Sequence, residues 1–533
     1  MMRMSMNCWT RRTAILGLLV ISLLPLAPGE AARGHAVPSN ILLLALGSEP
    51  NTFDPAQDVA NGSQEYYGTA YEGLTAYVGS TTRVGPGLAK SWDVSSDGRV
   101  YTFHLRPGVT FADGTPFDAE AVKFNIQRMQ HINQGYVYLV KRVTRVDVLD
   151  KLTVRMTLSG RYPPFLSGLA YGYGTSMVSP TGVKQHQVKG DWGAAWFNEH
   201  TDGTGPYQLQ SWVHNQQAIW VKNPRYWRGW SGKHFDQIIF KIVKEASTQK
   251  LLLRQGDADV LLYALTPNEA VALEGQPGIT VHSNHSFDVY YLGLNVTQKP
   301  LNDVRVRQAL AYAMDYNAVI QAAAKGHAQQ PHGFTPQGLE PYDASLPLYH
   351  YDLNKARQLL AQAGYPHGGF TLHAIWATGY LTHALYEQIL QSALAKLGVN
   401  MTLQEVTIPN WVSIGTDPKR VQIWDTEWYP SVADPSDYLV GLMACSTRGS
   451  AGANWNYYCN PTFDSLVQRA VSSTSKSERA KLYSQANRIL LHDMPMIPIY
   501  QGDQIIPMRS SVQGYVFNPV NLINFNFYDM YKA

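Results

Sequence analysis

A serine followed three residues later by a lysine occurs twice, at Ser247 to Lys250 and Ser473 to Lys476, and such a pair is a starting point for acyl-serine chemistry. Neither pair has the Ser-Asp-Asn and Lys-Thr-Gly partners that complete that mechanism, so both read as chance matches. His282 and His285 are near enough in sequence for metal ligation. In an extended segment, however, positions three apart point to opposite faces and cannot share one ion without a turn. Gly203-Thr204-Gly205-Pro206-Tyr207 has the glycines of a phosphate cradle, but Pro206 removes an amide donor where several are needed, and a tight turn into a strand is expected instead. The chain lacks a Gly-x-x-x-x-Gly-Lys-Ser/Thr loop, a His-Glu-x-x-His helix and a Gly-x-Ser-x-Gly elbow. No catalytic residue, metal site or cofactor is assigned. An exported peptide hydrolase remains the alternative class, and it needs a nucleophile, base and oxyanion donors that these motifs do not assemble.

Cysteine usage points to an oxidising compartment. Arg3, Arg11 and Arg12 precede an apolar stretch from Ala14 to Ala27 that ends in Pro25, Pro28 and Gly29 and then small residues at Ala31, Ala32 and Ala36. This is the pattern of a cleaved signal peptide over residues 1–36, too short for the roughly 20 apolar residues of a membrane span. The Thr10-Arg11-Arg12 sequence also resembles a twin-arginine signal, with ordinary secretion the preferred route. Cys8 lies ahead of the apolar stretch, so export leaves Cys445 and Cys459, and one disulfide between them is expected. The expected address is periplasmic.

The chain has 533 residues, 45% of them hydrophobic and 16% charged, which fits several domain-sized cores and excludes a charged disordered tail or a coiled coil. Its 43 basic and 40 acidic residues give +3, and with Arg3, Arg11, Arg12, Arg33 and Glu30 set aside the remainder balances to zero. With no long Lys/Arg run, bulk electrostatics give no nucleic-acid partner.

The elements that must position any site alternate between strand and helix. Ile41 to Leu46 reads as a buried strand ending at Gly47. Trp92-Asp93-Val94 and Val100 to Leu105 flank Ser96-Asp97-Gly98 as a hairpin, and Val146 to Leu149 pairs with Leu152 to Leu158. Asp118 caps a helix with Val122, Ile126 and Met129 on one face. Amphipathic helices are expected from Asn302 and from Asp352 to Gly364. Strand Phe370 to Ile375, helix Leu381 to Leu397 and strand Asn400 to Val406 form a βαβ unit, which implies a parallel sheet in the later half. Two α/β lobes follow, and clefts between lobes are where small ligands bind.

Leu88-Ala89-Lys90-Ser91-Trp92, Ser96 to Val109 and Phe111-Ala112-Asp113-Gly114-Thr115-Pro116-Phe117 resemble the signature of bacterial extracellular solute-binding proteins of the peptide/nickel class. Further matches in the same order are Gly203 to Tyr207, Asn223 to Trp227, Gly256 to Asp259, Leu294-Asn295, Asp303 to Leu310 and Asp434-Pro435 ahead of Asn460-Pro461. The resemblance implies an α/β, two-lobed periplasmic binding protein fold of type II. Lobe I is expected over 37–288 with a subdomain inserted at about 82–202, lobe II over 289–499, and a return to lobe I over 500–533. It implies a monomer that captures a small-molecule or peptide solute and delivers it to ABC permease subunits in the inner membrane. A sensor or chaperone role on the same fold, and a nickel chelate as guest, remain open.

Relatives that bind dipeptides hold the α-ammonium with an Asp shortly before the Asp-Pro pair and the carboxylate with an Arg. Ser431 aligns with the first, and Ala377 or Thr378 with the second. A zwitterion held at both ends is therefore disfavoured, because a buried charge without a counter-charge costs several kcal/mol. The ligand-binding candidates are Gly47, Ser48 and Glu49 at the first-lobe strand end, and Trp376, Trp411, Trp428, Tyr429 and Ser431 on the second lobe.

Overall fold

Ile41–Leu46 is six apolar residues without a charge, and such a run can settle only between two other strands. In the computed structural model, which describes residues 38–58, 64–522 and 525–533, it lies parallel to Gln237–Ile242 on one side and Val260–Leu262 on the other. Gln217–Lys222 and Tyr207–Val213 extend this half of the sheet antiparallel. The signal-peptide reading falls outside the described residues.

The second half is built on Thr371–Ala377, parallel to Asn400–Val406 and to Ile423–Trp428. Helix Leu381–Ala395 makes the crossover, so the expected βαβ unit is present, with its first strand reaching Ala377 rather than Ile375. Asp118, Asp303 and Asp352 each cap their expected helix by accepting a backbone N–H.

Two long strands join the halves. Ile279–Leu294 has 16 residues and pairs antiparallel along most of its length with the 14-residue Met496–Arg509. At about 3.3 Å per residue the first extends for about 50 Å, enough to serve both lobes. Met508 pairs with Val260 of the first half, while Val289 to Leu294 pair with Ile423 to Trp428 of the second. The register between the two strands shifts between His285 and Val289 and again between Tyr290 and Tyr291, where the ladder leaves one half for the other.

A separate four-stranded antiparallel sheet, ordered Ala89–Val94, Val100–Leu105, Thr153–Leu158, Val143–Asp150, contains both expected hairpins. It packs helix Ala119–Ile132 against its own core of Phe103, Val122, Ile126 and Val154, all fully buried. The turn at Gly203 to Tyr207 is structural. The Gly205 N–H donates to the Ala70 carbonyl at 2.9 Å. A Cβ there would sit 2.4 Å from the Ala70 carbonyl carbon, so only glycine fits the approach.

Cys445 and Cys459 form the expected disulfide, which links the ends of a Gly-, Ser- and Asn-rich loop between helices Ser436–Met443 and Pro461–Ser472. Replacing both by serine is expected to cost about 3 kcal/mol through the freed loop of the unfolded chain. Urea unfolding would show this as a lower midpoint at unchanged slope. An unmoved midpoint would mean that the adjoining helices alone fix the loop.

Candidate ligand-binding site

Pairing register assembles the site on one sheet face. Tyr290 lies directly opposite Glu427 on one side and Tyr500 on the other. Asp288 and Asp425 are each two residues from a member of that row, and period-two alternation brings all five to the same face. The Tyr290 and Tyr500 rings stack with centroids 4.3 Å apart, and Tyr290 meets His383 edge-on at 5.6 Å. Tyr380 stacks on the other aromatic neighbour, His383, at 4.9 Å. His383 is oriented by an Nδ1 contact with Asp425.

Burial without full compensation marks the carboxylates. Asp288 is pushed well above the usual carboxylate range by desolvation and then by Glu427, and the Tyr290 hydroxyl offsets only part of this. Glu387 is raised in the same way by burial and by Asp425. On the first lobe, Glu65 in helix Gln64–Ala70 is raised by burial although it accepts a hydrogen bond from the Tyr263 hydroxyl at 2.9 Å.

The two lobes meet across residues 429–437. The Tyr138 hydroxyl of the inserted subdomain lies 2.6 Å from Ser431 Oγ, which itself donates to Asp437 Oδ1 at 2.8 Å, so the tyrosine is the donor. The Ala433 N–H donates to Ser167 Oγ at 2.7 Å. Burial lifts Asp437 to about 6 while Ser431 and Trp428 hold it down by hydrogen bonding. Tyr138 and Tyr263 retain 49% and 39% of their accessible surface. Protein nevertheless desolvates both hydroxyls enough to raise them well above the ordinary tyrosine value. A cavity of about 80 Å³ on the second lobe is lined by Ala377, Tyr380, His383, Trp411, Asp425 and Glu427 among others.

The sequence candidates divide. Trp411 lines the 80 Å³ cavity, packs on Trp455 at 4.4 Å and Trp424 at 5.9 Å, and donates its indole N–H to Asp425 at 3.3 Å. Tyr429 is close enough to Asp288, Glu427 and Tyr136 for each to raise it further after burial. Ser431 forms the contact between lobes. Trp428 packs against Gly441 and donates its indole N–H to Asp437 at 3.2 Å, so it fixes the 429–437 segment. Trp376 is not among the residues lining the cavity; its neighbour Ala377 is, and alternation turns Trp376 to the other face. Gly47 backs onto the Tyr263 carbonyl, where a Cβ would lie 2.6 Å away. Ser48 follows it. Glu49 accepts the Asn215 N–H at 2.8 Å and faces His214 at 3.7 Å, which ties it to the turn after Tyr207–Val213.

Sequence reasoning missed Glu65, Tyr263, Asp288 and Glu427. One signal was present: Asp288 interrupts the apolar run around Val289 to Leu294, and an acid in a buried central strand calls for an explanation. Other motifs resolve as structural. Lys250 pairs with Glu269 at 2.9 Å rather than with Ser247, and Ser473 donates to Glu478 at 2.6 Å. His282 packs on Tyr515, whereas His285 contacts Asp503 at 3.2 Å. Among the described residues, no group of three or more His, Cys, Asp or Glu is disposed to hold a metal ion, and no helix is long and apolar enough to cross a membrane.

Comparison with known proteins agrees with this architecture. The family described as "Bacterial extracellular solute-binding proteins, family 5 Middle" matches residues 83–450. The "Probable D,D-dipeptide-binding periplasmic protein DdpA" of Escherichia coli K12 is 30% identical over 527 residues, covering 98% of this chain and 99% of the relative. "Heme-binding protein A" of Haemophilus influenzae is 29% identical, with 90% of each chain covered. Among solved structures, the ABC transporter-associated periplasmic binding protein DppA from Helicobacter pylori, in complex with peptide STSA, superposes with a TM-score of 0.80 at 27% identity, covering 92% of this chain and 98% of that one. With two lobes joined by two long strands and this match over most of its length, the chain belongs to the bacterial extracellular solute-binding proteins, family 5, the solute-binding components of ABC importers.

Proposed function

We propose that this protein works in the periplasm as a monomer, captures a peptide or peptide-like solute between its lobes, and presents the closed form to membrane permease subunits without altering the solute's covalent bonds. In this reading residues 37–288 and 500–533 form one jaw and 289–499 the other. Relatives of nearly equal identity carry names for a D,D-dipeptide and for heme, so kinship leaves the guest open and the site must choose it. Peptide is favoured by the peptide bound in the solved relative.

The carrying observation is the pair of contacts across the lobes, Tyr138 to Ser431 and Ser167 to Ala433. A ligand shifts an open–closed equilibrium only by its differential affinity for the closed form, so contacts made solely on closure add directly to binding. Tyr138→Phe removes one such hydrogen bond, worth about 1 kcal/mol, and is expected to weaken solute binding about fivefold. Small-angle scattering should show compaction when a solute proven by calorimetry is added. A solute that binds without compaction, and with equal affinity to the Phe variant, would remove this reading.

A further inference from the structure

Where the ladder between Ile279–Leu294 and Met496–Arg509 shifts register, a chain of polar side chains crosses three strands, and its donors can be assigned one by one. Ser283 Oγ donates to Asp503 Oδ2 at 2.8 Å, so His327 Nδ1, 2.8 Å from the same oxygen, is a donor. Asp503 Oδ1 accepts the Nδ1–H of His285 at 3.2 Å. The other ring nitrogen of His285, Nε2, lies 2.9 Å from Gln329 Nε2 and 3.2 Å from Gln501 Nε2. Gln501 is fully buried and cannot turn its amide round. Its Oε1 accepts the Gln337 N–H at 2.8 Å, while Nε2 donates to the Ser286 carbonyl at 2.7 Å and the Gln337 carbonyl at 3.1 Å.

An amide nitrogen only donates, so His285 Nε2 accepts, and the ring that fits here is the neutral one. A second proton would set N–H against N–H at Nε2 while leaving the Asp503 contact intact. His327 differs, because its bonded nitrogen donates in either charge state. The ionisable groups around His285 are Asp503 on the neighbouring strand, His327 at 3.8 Å from Asp503, and Asp288 past the register shift on its own strand. Burial alone would raise Asp503, but hydrogen bonds from His285 and Ser283 bring it below the ordinary carboxylate value, so it stays ionised. Gln329 and Gln337 follow helix Tyr316–Ala324, and Ala328–Gln329 pairs with Gly502 and Gln501. Within the jaw boundaries given under the proposed function, this segment travels with the second jaw and His285 with the first, so rotation changes the distances between them.

We infer that His285 is a proton-operated latch on lobe closure: its neutral ring ties the 327–337 segment to the connecting strands, and its protonated ring lets that segment go. The inference rests on the closure of two jaws described under the proposed function and adds a regulator to it. The sign follows from the contacts. The latched form needs the neutral ring and holds one proton fewer than the released form, so closure is favoured above the ordinary histidine value near 6.5 and lost as pH falls through it. One neutral hydrogen bond corresponds to about a fivefold change in the closed-to-open ratio.

Single-molecule energy transfer on the solute-free protein tests it, with dyes on Val94→Cys in the inserted subdomain and Val412→Cys in helix Ile408–Gly415, both exposed positions. The native cysteines are paired and do not take label. Between about pH 7.5 and about pH 5.5, either side of the histidine value, the closed-to-open ratio should fall about fivefold. His285→Gln, which still offers an acceptor but does not titrate, should abolish most of that fall, and His327→Gln should keep it. Gln329→Glu gives the protonated ring a carboxylate to bond, so it should reverse the trend and favour closure in acid. Asp437, lifted to about 6 by burial at the contact between lobes, titrates in the same window and is the competing source. A pH response undiminished in His285→Gln would assign it to such a group and overturn the latch. Two populations whose ratio ignores pH would overturn the latch and leave closure standing. A single population at every pH would also overturn the latch, since His285 would have no equilibrium to bias, and solute capture would still be judged separately by the scattering experiment.

Discussion

Arg128→Ala is expected to destabilise the protein by about 3–5 kcal/mol, the usual consequence of leaving one partner of a buried ion pair uncompensated. Arg128 and Asp54 are 1% and 0% exposed and pair through both guanidinium nitrogens, at 2.8 and 2.6 Å. The remaining donor, Nε, reaches the Trp192 carbonyl at 2.8 Å, and the guanidinium lies over the Phe197 ring at 5.1 Å. Asp54 is doubly occupied, since it also accepts the Ala56 N–H and the Gln57 side chain. This single arginine therefore fastens the helix of the inserted subdomain to the loop after the first strand. Arg128→Lys keeps the charge without the planar fork and should recover only part of the loss. Urea unfolding followed by circular dichroism measures both variants, and an Ala variant within 1 kcal/mol of the parent would show the pair to be dispensable, against the typical cost of such a break.

The second large effect is expected at Arg479→Ala, again about 3–5 kcal/mol, but with a functional loss attached. Arg479 contacts Asp434 and donates to the Ala470 carbonyl at 2.6 Å, while the Tyr483 hydroxyl donates to Asp434 at 2.6 Å. Asp434 also accepts the Ser436 N–H at 3.0 Å, which starts helix Ser436–Met443. The helix presents Asp437 to Ser431 and Trp428, so the ion pair sets the position of the whole 429–437 segment that meets the first lobe. Removing the guanidinium should lower the unfolding midpoint and also weaken solute binding at temperatures where the variant remains folded. Arg479→Lys, which retains a charge near Asp434, should restore more of the stability than of the affinity. A folded Ala variant with parental affinity would disconnect the segment from binding.

The same residues show what was legible beforehand. Asp434-Pro435 stood out in the sequence, but its partner Arg479 lies 45 positions away and the pairing has no local trace. The hairpins, the Asp118 cap, the helices beginning near Asn302 and at Asp352 and the βαβ unit were readable because each depends on turn chemistry or side-chain period within a short window. Trp411 was readable as a lobe-two aromatic, though the stack with Trp424 and Trp455 was not. Trp376 illustrates the limit: on a strand, one residue of displacement exchanges the faces, so knowing the strand did not reveal that Ala377 would line the cavity instead.

By itself the sequence indicated the short strands, helices and hairpins that depend on local pattern, and it singled out Cys445 and Cys459 as a pair. Only the tertiary structure decided which acids lose their water. Glu65 and Asp288 lie far apart in the chain, and each is an unremarkable acid until folding buries it. Solvation is a property of the assembled surroundings, and no spacing along the chain encodes it.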